Sequence, residues 1–204
     1  MKEKNRRSDG QATWLAIRST AVELIATYGF KGFNLRELAK RCGIKAGSLY
    51  NHIESKEGLL LMLLQDVMNE LLAEFDKQVS AADGPVAQIC AAIKVHIHFH
   101  THRRMEVIIG NTELRSLSQE NYLLVTGLRD RYENKLRQII ATGVEQDVFH
   151  VLDVKAASFA IIAMLTGVGS WYHPGGSLDY EHLVDIHEQL VLNMLDTQSN
   201  NQSN

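Results

Sequence analysis

The chain has 204 residues, 45% of them hydrophobic and 22% charged. That is enough apolar content to bury a full core, in one ordinary domain or a small domain fused to a larger one. The longest apolar stretches, 59–64 and 156–168, are broken by polar residues or glycines short of the roughly 20 residues a bilayer span needs. The N-terminus has no apolar signal core, so no membrane partner is expected and the cytoplasm is the expected location. Cys42 and Cys90 have neither the density of a secreted scaffold nor a CxxC spacing, and both read as buried small residues. The net charge of −3 conceals an asymmetry: residues 1–57 carry 11 Lys/Arg against 6 Asp/Glu, and the remainder 10 against 18. One end therefore suits a polyanion, with chance clustering of surface charge as the alternative at this point.

Only Pro85 and Pro174 interrupt apolar residues that recur at three- and four-residue spacing, which predicts an all-α fold. Residues 1–10 are polar and expected to fray, with Lys2, Lys4, Arg6 and Arg7 forming either a flexible basic arm for DNA or a solvated tail. A first helix is predicted over 13–28, with Leu15, Ile17, Ala21, Leu24 and Ile25 inward and Gly29 supplying the positive-φ stop. Phe30 and Phe33 then fall in a tight connection. Asn34 with Glu37 three residues on predicts a reciprocal cap for a second helix, closed by Cys42-Gly43-Ile44. A short helix over 45–52 follows, and Ser55 caps a fourth that carries Leu59, Leu60, Leu63, Val67, Leu71, Leu72 and Phe75. After the break at 81–85, with Pro85 in the first turn of a fifth helix, helices are predicted at 86–102, 105–115, 118–146, 153–172 and 179–195. Residues 197–204 form a polar tail with nothing to bury.

A DNA-reading helix-turn-helix needs a support helix, a tight turn and a second helix whose N-terminal half enters the major groove. Residues 35–43 and 45–52 have those parts. Leu38, Ala39, Ile44 and Leu49 would hold the two helices together, leaving Lys45, Ala46, Ser48 and Tyr50 outward. Small side chains at Ala46 and Gly47 permit close approach to the groove. Tyr50, His52 and Lys56 offer hydroxyl, imidazole and ammonium donors for phosphates. On spacing alone, a short helix pair around a glycine turn in an ordinary helical core remains the alternative.

Over residues 12–64 the stretch GFKGFNLRELAKRCGIKAGSLYNHIESKEGLL and the helix before it resemble the N-terminal domain of the tetracycline-repressor (TetR) family. The matching features are Tyr-Gly-Phe at the end of helix 1, Leu-Arg-Glu-Leu-Ala in the support helix, a Gly-Ile turn, and Gly-Ser-Leu-Tyr-Asn-His followed by Ser-Lys-Glu. The resemblance implies phosphate contacts at Tyr50, His52 and Lys56 and positions at or near base edges for Arg36, Lys45, Ala46 and Ser48. Asn34 stands where the family more often has Thr or Ser; it caps equally well but lacks a hydroxyl for phosphate. The resemblance also implies a helix-turn-helix DNA-binding domain at 11–57 and a helical effector-binding and dimerisation domain at 58–196. The chain is then a repressor and not an enzyme.

In the C-terminal part, helical projection from the stripe Val86, Ile89, Cys90, Ile93, Ile97 puts His96 and His100 on the apolar face and His98 and His102 on roughly the opposite one. Four histidines cannot then share one ion, and no metal or cofactor is expected. A zinc pair at His96 and His100 with Glu113 or Glu106, as in a small metal-dependent hydrolase, is the rival reading. One stripe of Phe159, Ile162, Ala163, Thr166 and Ser170 and another of Leu183, Ile186, Leu190 and Met194 suit a homodimer seam, an intramolecular core being the alternative. The Glu-Leu-Arg-Ser-Leu, Arg-Asp-x-Tyr-Glu and Trp-Tyr-x-Pro-Gly-Gly elements resemble family members that regulate fatty-acid, acyl-CoA or steroid breakdown. A small hydrophobic effector, an acyl-CoA among the candidates, is therefore expected at His96, Phe99, His100, Arg104, Met105, Ile108, Trp171 and Tyr172, in an elongated apolar pocket. Drug sensing, metal sensing and an effector-free nucleoid factor are the competing readings.

Overall fold

The computed structural model describes the backbone of residues 2–195 and the side chains of 10–195. The basic-arm side chains and the 197–204 tail lie outside the described residues. Among the described residues nine α-helices and one 3-10 turn follow in chain order: α1 (Lys2–Gly32), α2 (Leu35–Arg41), α3 (Ala46–Leu49), α4 (Lys56–Ser80), α5 (Gly84–His102), α6 (Arg104–Thr112), a 3-10 turn (Leu114–Ser116), α7 (Gln119–Glu145), α8 (Val154–Trp171) and α9 (Tyr180–Met194). No strand occurs among the described residues, so the fold is all-α. The helix starts at Lys2 and not near Thr13, because the leading residues are mostly good helix formers with no proline among them.

The chain packs as two compact units that do not follow a single cut after residue 57. The first comprises 1–67 with 105–126, the second 68–104 with 127–204.

In the first unit Ile17, Ala21, Leu24 and Ile25 are buried against Leu38, Ala39, Leu49, Leu59, Leu60 and Leu63. Ile109, Leu117 and Val125, from the distant segment, complete the same core. Leu15 was expected inside but is 56% exposed: it sits two residues, about 200° of helical rotation, from Ile17 and so off the buried face. Gly29 breaks α1 with φ 69 and ψ 162, a backbone conformation open essentially to glycine. Phe30–Gly32 then form one further helical turn.

In the second unit α5 packs against α8 and α9 over a core that includes Leu72, Phe75, Ile89, Ile93, Ile97, Leu136, Ile140, Phe149, Ile161, Leu165, Leu183 and Val191. Val86, placed on the inner stripe from sequence, is instead exposed, and both cysteines are half-buried and unpaired. Gly143 of α7 is required by close approach, because a Cβ there would overlap the ring of fully buried Phe149. Asp153 caps α8 by accepting from the amide of Ala156 at 2.7 Å, and Asp179 caps α9 by accepting from that of His182 at 2.9 Å. By length and composition alone α8, with 18 residues at a mean hydropathy of 1.4, is apolar enough to cross a membrane. Its inner residues Ile161, Leu165 and Val168 belong to the core, while Phe159 points outward, 52% exposed.

Candidate nucleic-acid interface and effector domain

The support helix α2 begins where Asn34 Oδ1 accepts the amide of Glu37 at 2.8 Å. The reciprocal half of the predicted cap does not form. The Glu37 carboxylate turns to Arg41, whose Nε donates to it at 2.9 Å, and that bond holds its pKa below the usual carboxylate range. Gly43, at φ 68, lets the chain reverse so that the amide of Ile44 donates to Ala39 O at 3.0 Å. Leu38, Ala39 and Leu49 are then buried together.

The predicted helix over 45–52 is a four-residue helix extended by turns. Lys45 has extended backbone at φ −68 and ψ 142, the amide of Ser48 donates to Lys45 O at 2.9 Å, and those of Asn51 and His52 donate to Ser48 O and Leu49 O. This geometry buries Leu49 and turns Arg36, Lys45, Ala46, Gly47 and Tyr50 outward, with Ser48 and His52 partly exposed. A Cβ at Gly47 would meet nothing within 4 Å, so the leading edge of the helix is unobstructed. Eight of the nine predicted DNA-binding residues, Asn34 included, thus lie at or partly at the surface of one small element pair.

Lys56 behaves differently. Its Nζ lies 4.8 Å from the ring centroids of both Phe30 and Phe33 and donates to Lys31 O at 3.3 Å, and partial burial lowers its pKa. Two carboxylates that carry no local sequence signal complete the unit. Glu57 accepts from the amide of Ser118 at 2.7 Å and from Asn121 Nδ2 at 2.6 Å, bonds that keep its pKa low. Glu113 accepts from the amide of Phe30 at 3.1 Å and from Ser116 Oγ at 3.0 Å. These contacts span 61 and 83 residues of sequence, and short-range pattern reading has no access to them.

The predicted effector residues divide between the units. Met105 and Ile108 belong to the first, where they are exposed; the other six belong to the second. There His96 and His100 are buried, as helical projection predicts, while His98 and His102 are on the exposed face. The His96 and His100 rings stack at 4.1 Å. His96 shares hydrogen bonds through Nδ1 with the Tyr132 hydroxyl at 2.8 Å and through Nε2 with Thr166 Oγ1 at 3.3 Å, and His100 Nδ1 donates to His96 O at 2.9 Å. Burial, reinforced by the neighbouring His100, drives the His96 pKa well below its ordinary value. Burial also lowers that of His100, against the opposing pull of the His96 carbonyl, and raises that of Tyr132. The pair is therefore neutral, and His96 has both nitrogens spent on protein partners. Arg104 donates through Nε to Gly169 O at 2.8 Å and pairs with His173 Nδ1 at 3.0 Å. Tyr172 is buried in the core, whereas Trp171 is 50% exposed and stacks on His187. Phe99 lines an open cleft of about 930 Å3 with Glu70, Glu74, Lys94, His98 and Tyr180. Among the described residues no group of three or more His, Cys, Asp or Glu is placed to hold a metal ion.

Comparison with known proteins joins these two parts. Residues 17–63 match the family model of bacterial regulatory proteins of the tetR family, and residues 82–195 match that of the tetracyclin repressor-like C-terminal domain. The HTH-type transcriptional repressor KstR2 of Mycolicibacterium smegmatis is 28% identical over 175 residues, covering 84% of this chain and 85% of that protein. A crystal structure of a tetR-family regulatory protein from Rhodococcus RHA1 superposes with a TM-score of 0.85 at 24% identity, over 92% of this chain and 98% of that one. AibR, in its complex with isovaleryl coenzyme A and operator DNA, superposes with a TM-score of 0.79 at 25% identity, over 90% and 98%. With the recognition element exposed at one end of the sequence and both family models satisfied, the chain belongs to the TetR family of bacterial transcriptional regulators.

Proposed function

We propose that the chain is a cytoplasmic, ligand-responsive repressor: a homodimer that holds a palindromic operator and is released from it by a small hydrophobic effector, an acyl-CoA being the favoured class. The observation that carries the DNA half is the unobstructed outer face of α3. Lys45, Ala46, Gly47 and Tyr50 are exposed there while Leu49 is buried, the arrangement a helix needs to enter a major groove. Arg36, Lys45, Ala46 and Ser48 read base edges, Gly47 permits the close approach, Tyr50 and His52 donate to phosphates, and Asn34 sets the start of the support helix.

A two-fold operator requires a two-fold protein. Phe159 of α8 and Ile186, Leu190 and Met194 of α9 are large apolar side chains left exposed in the single chain, and α8 and α9 pack against one another. Two such helices from each protomer make a self-complementary four-helix seam, which holds the recognition helices at the roughly 34–36 Å spacing of successive major grooves.

The effector half draws on relatives. KstR2 is named a repressor and AibR was solved with isovaleryl coenzyme A. The effector acts by favouring a conformation with different recognition-helix spacing, so operator affinity falls by the ratio of its affinities for the two states. His100, Phe99 and Tyr172, with the donors of Arg104 not already engaged, are the side chains of the second unit assigned to it.

The test is operator binding by fluorescence anisotropy, using DNA flanking the gene, titrated with matched pairs of acyl-CoA and free acid of increasing chain length. Release at micromolar thioester, and weaker release by the acid, is the expected result. Release by a planar drug alone would replace the metabolic assignment with drug sensing, and indifference to every ligand would favour an effector-free DNA-binding factor.

A further inference from the structure

We propose that Glu113 is a positioning residue for DNA binding, acting with Lys56 to clamp the Phe30–Phe33 corner that carries the recognition element; this rests on the repressor reading above. Glu113 lies 83 residues from Phe30 in sequence, yet its carboxylate sits on the corner where α1 breaks. Oε1 takes the Phe30 amide at 3.1 Å and lies 3.4 Å from where a Cβ on Gly29 would stand. Oε2 takes the Ser116 hydroxyl, which fixes the carboxylate's orientation. Gly29 is held at φ 69, and its carbonyl accepts the Phe33 amide at 3.2 Å, closing the one turn between α1 and Asn34.

Lys56 grips the other side of the same turn. Its ammonium lies over both Phe30 and Phe33, whose rings stand 6.1 Å apart at 51°, and it donates to the Lys31 carbonyl. Lys56 is the first residue of α4, so the clamp ties the start of α4 to the corner. Asn34 follows the turn directly and caps α2, and α2 carries α3 through the buried Leu38, Ala39 and Leu49. The ammonium thus faces two aromatic rings and a carbonyl, where cation–π attraction holds it against the cost of partial desolvation. It contributes to DNA binding by placing α2 and α3 and not by neutralising a phosphate.

A carboxylate accepting an amide is a charge-assisted bond, roughly twice as strong as a neutral one. Ile109 and Leu117 flank Glu113 in sequence and are buried in the core of the first unit, so the carboxylate is carried on a segment anchored beside the corner. Glu57 supplies the reverse tie, from the α4 side to Ser118 and Asn121. The segment 105–126 is therefore part of the DNA-binding machinery although its sequence lies in the C-terminal region.

The test uses the intact protein and an operator fragment recovered by selection from random DNA, with affinity measured from low to moderate salt at a temperature where circular dichroism shows every variant folded. Glu113→Ala is expected to lower operator affinity about tenfold, and Glu113→Gln, which keeps a carbonyl acceptor, to remain within about threefold of the parent. Lys56→Met is expected to weaken binding with an unchanged slope of log affinity against log salt, whereas loss of a phosphate contact would reduce that slope by about 0.9. Lys56→Arg, whose planar cation also covers both rings, is expected to restore binding. The double variant Glu113→Ala/Lys56→Met is expected to lose less than the product of the two single losses, because both act on one corner. Should Glu113→Ala fail to fold, Glu113→Asp, with a carboxylate one methylene short of Phe30, takes its place against Glu113→Gln. Parental affinity in Glu113→Ala, or in Glu113→Asp where that takes its place, or a slope lowered by about 0.9 in Lys56→Met, overturns the proposal while leaving the repressor reading intact. A parent that selects no DNA overturns both.

Discussion

Acidification should destabilise the second unit through His96 and His100 before it titrates most carboxylates. Both imidazoles are buried, at 2% and 7% exposure, and both have folded pKa values lowered by that burial. Their stabilising contribution is full above the unfolded value of about 6.5 and is lost as pH falls below it towards the folded values, because the unfolded chain takes up protons that the folded one refuses. For a histidine that stays neutral in the folded state, as burial holds His96, the loss between pH 7 and 5.5 is about 1.2 kcal/mol, and His100, also lowered by burial, adds to it. Against a total stability of roughly 5–15 kcal/mol that is a sizeable fraction. Urea denaturation followed by circular dichroism at several pH values, at fixed ionic strength, measures it. His100→Gln keeps a donor for the His96 carbonyl but does not titrate, and should reduce the slope over this window. His182, exposed and raised by Asp179, opposes the trend, so His182→Gln should steepen it slightly. A stability that stays flat from pH 7 to 5.5, or a His100→Gln slope equal to the parent's, would refute the claim that the stacked pair is held neutral.

Two glycines of α7 should respond in opposite directions in thermal melting: Gly143→Ala drives a methyl into the Phe149 ring and should cost about 3 kcal/mol, whereas Gly127→Ala meets nothing within 4 Å and should add about 0.5–1 kcal/mol. In anisotropy assays Tyr50→Phe should weaken operator and random DNA alike by about 1 kcal/mol, the loss of one phosphate hydrogen bond, while Ser48→Ala should relax preference at a few base pairs; equal losses on both DNAs for every α3 variant would argue against base reading by α3. Leu190→Asp places a carboxylate in the proposed seam and should shift sedimentation from dimer to monomer, since burying it unpaired costs several kcal/mol; an intact dimer would move the interface elsewhere.

Helix positions were legible in the sequence because apolar spacing and caps are local signals. Asn34, Ser55, Asp153 and Asp179 mark starts, with a side-chain oxygen on an amide three residues on. The inward and outward split of the four histidines of α5 followed from the 100° step of a helix alone. What failed was the assignment of partners where two local choices were available. Glu37 had a capping amide three residues back and a guanidinium four residues on, and took the guanidinium. The aromatic faces that the Lys56 ammonium covers could not be read locally either, because Phe30 and Phe33 are adjacent only once α1 has broken at Gly29. The packing unit that joins 105–126 to the N-terminal helices is a long-range product of Ile109, Leu117 and Val125, whose spacing on their own helices reads as ordinary amphipathicity.

The same partner choices change what the charge asymmetry means. Counting along the chain credits residues 1–57 with a net of +5, but charges differ in where they face. Lys56 is withdrawn over two rings, Arg41 is engaged by Glu37, and Glu57 is turned onto Ser118 and Asn121. The cations of α2 and the turn that stand exposed are Arg36, Lys40, Arg41 and Lys45, of which Arg41 is paired with Glu37. The Glu57 carboxylate stays ionised but faces Ser118 and Asn121, and the Lys56 ammonium stays charged but faces two rings and the Lys31 carbonyl. On the proposed reading, sequence discrimination has to come from the side chains of α3 itself, because the general attraction of a basic surface for DNA carries no sequence information.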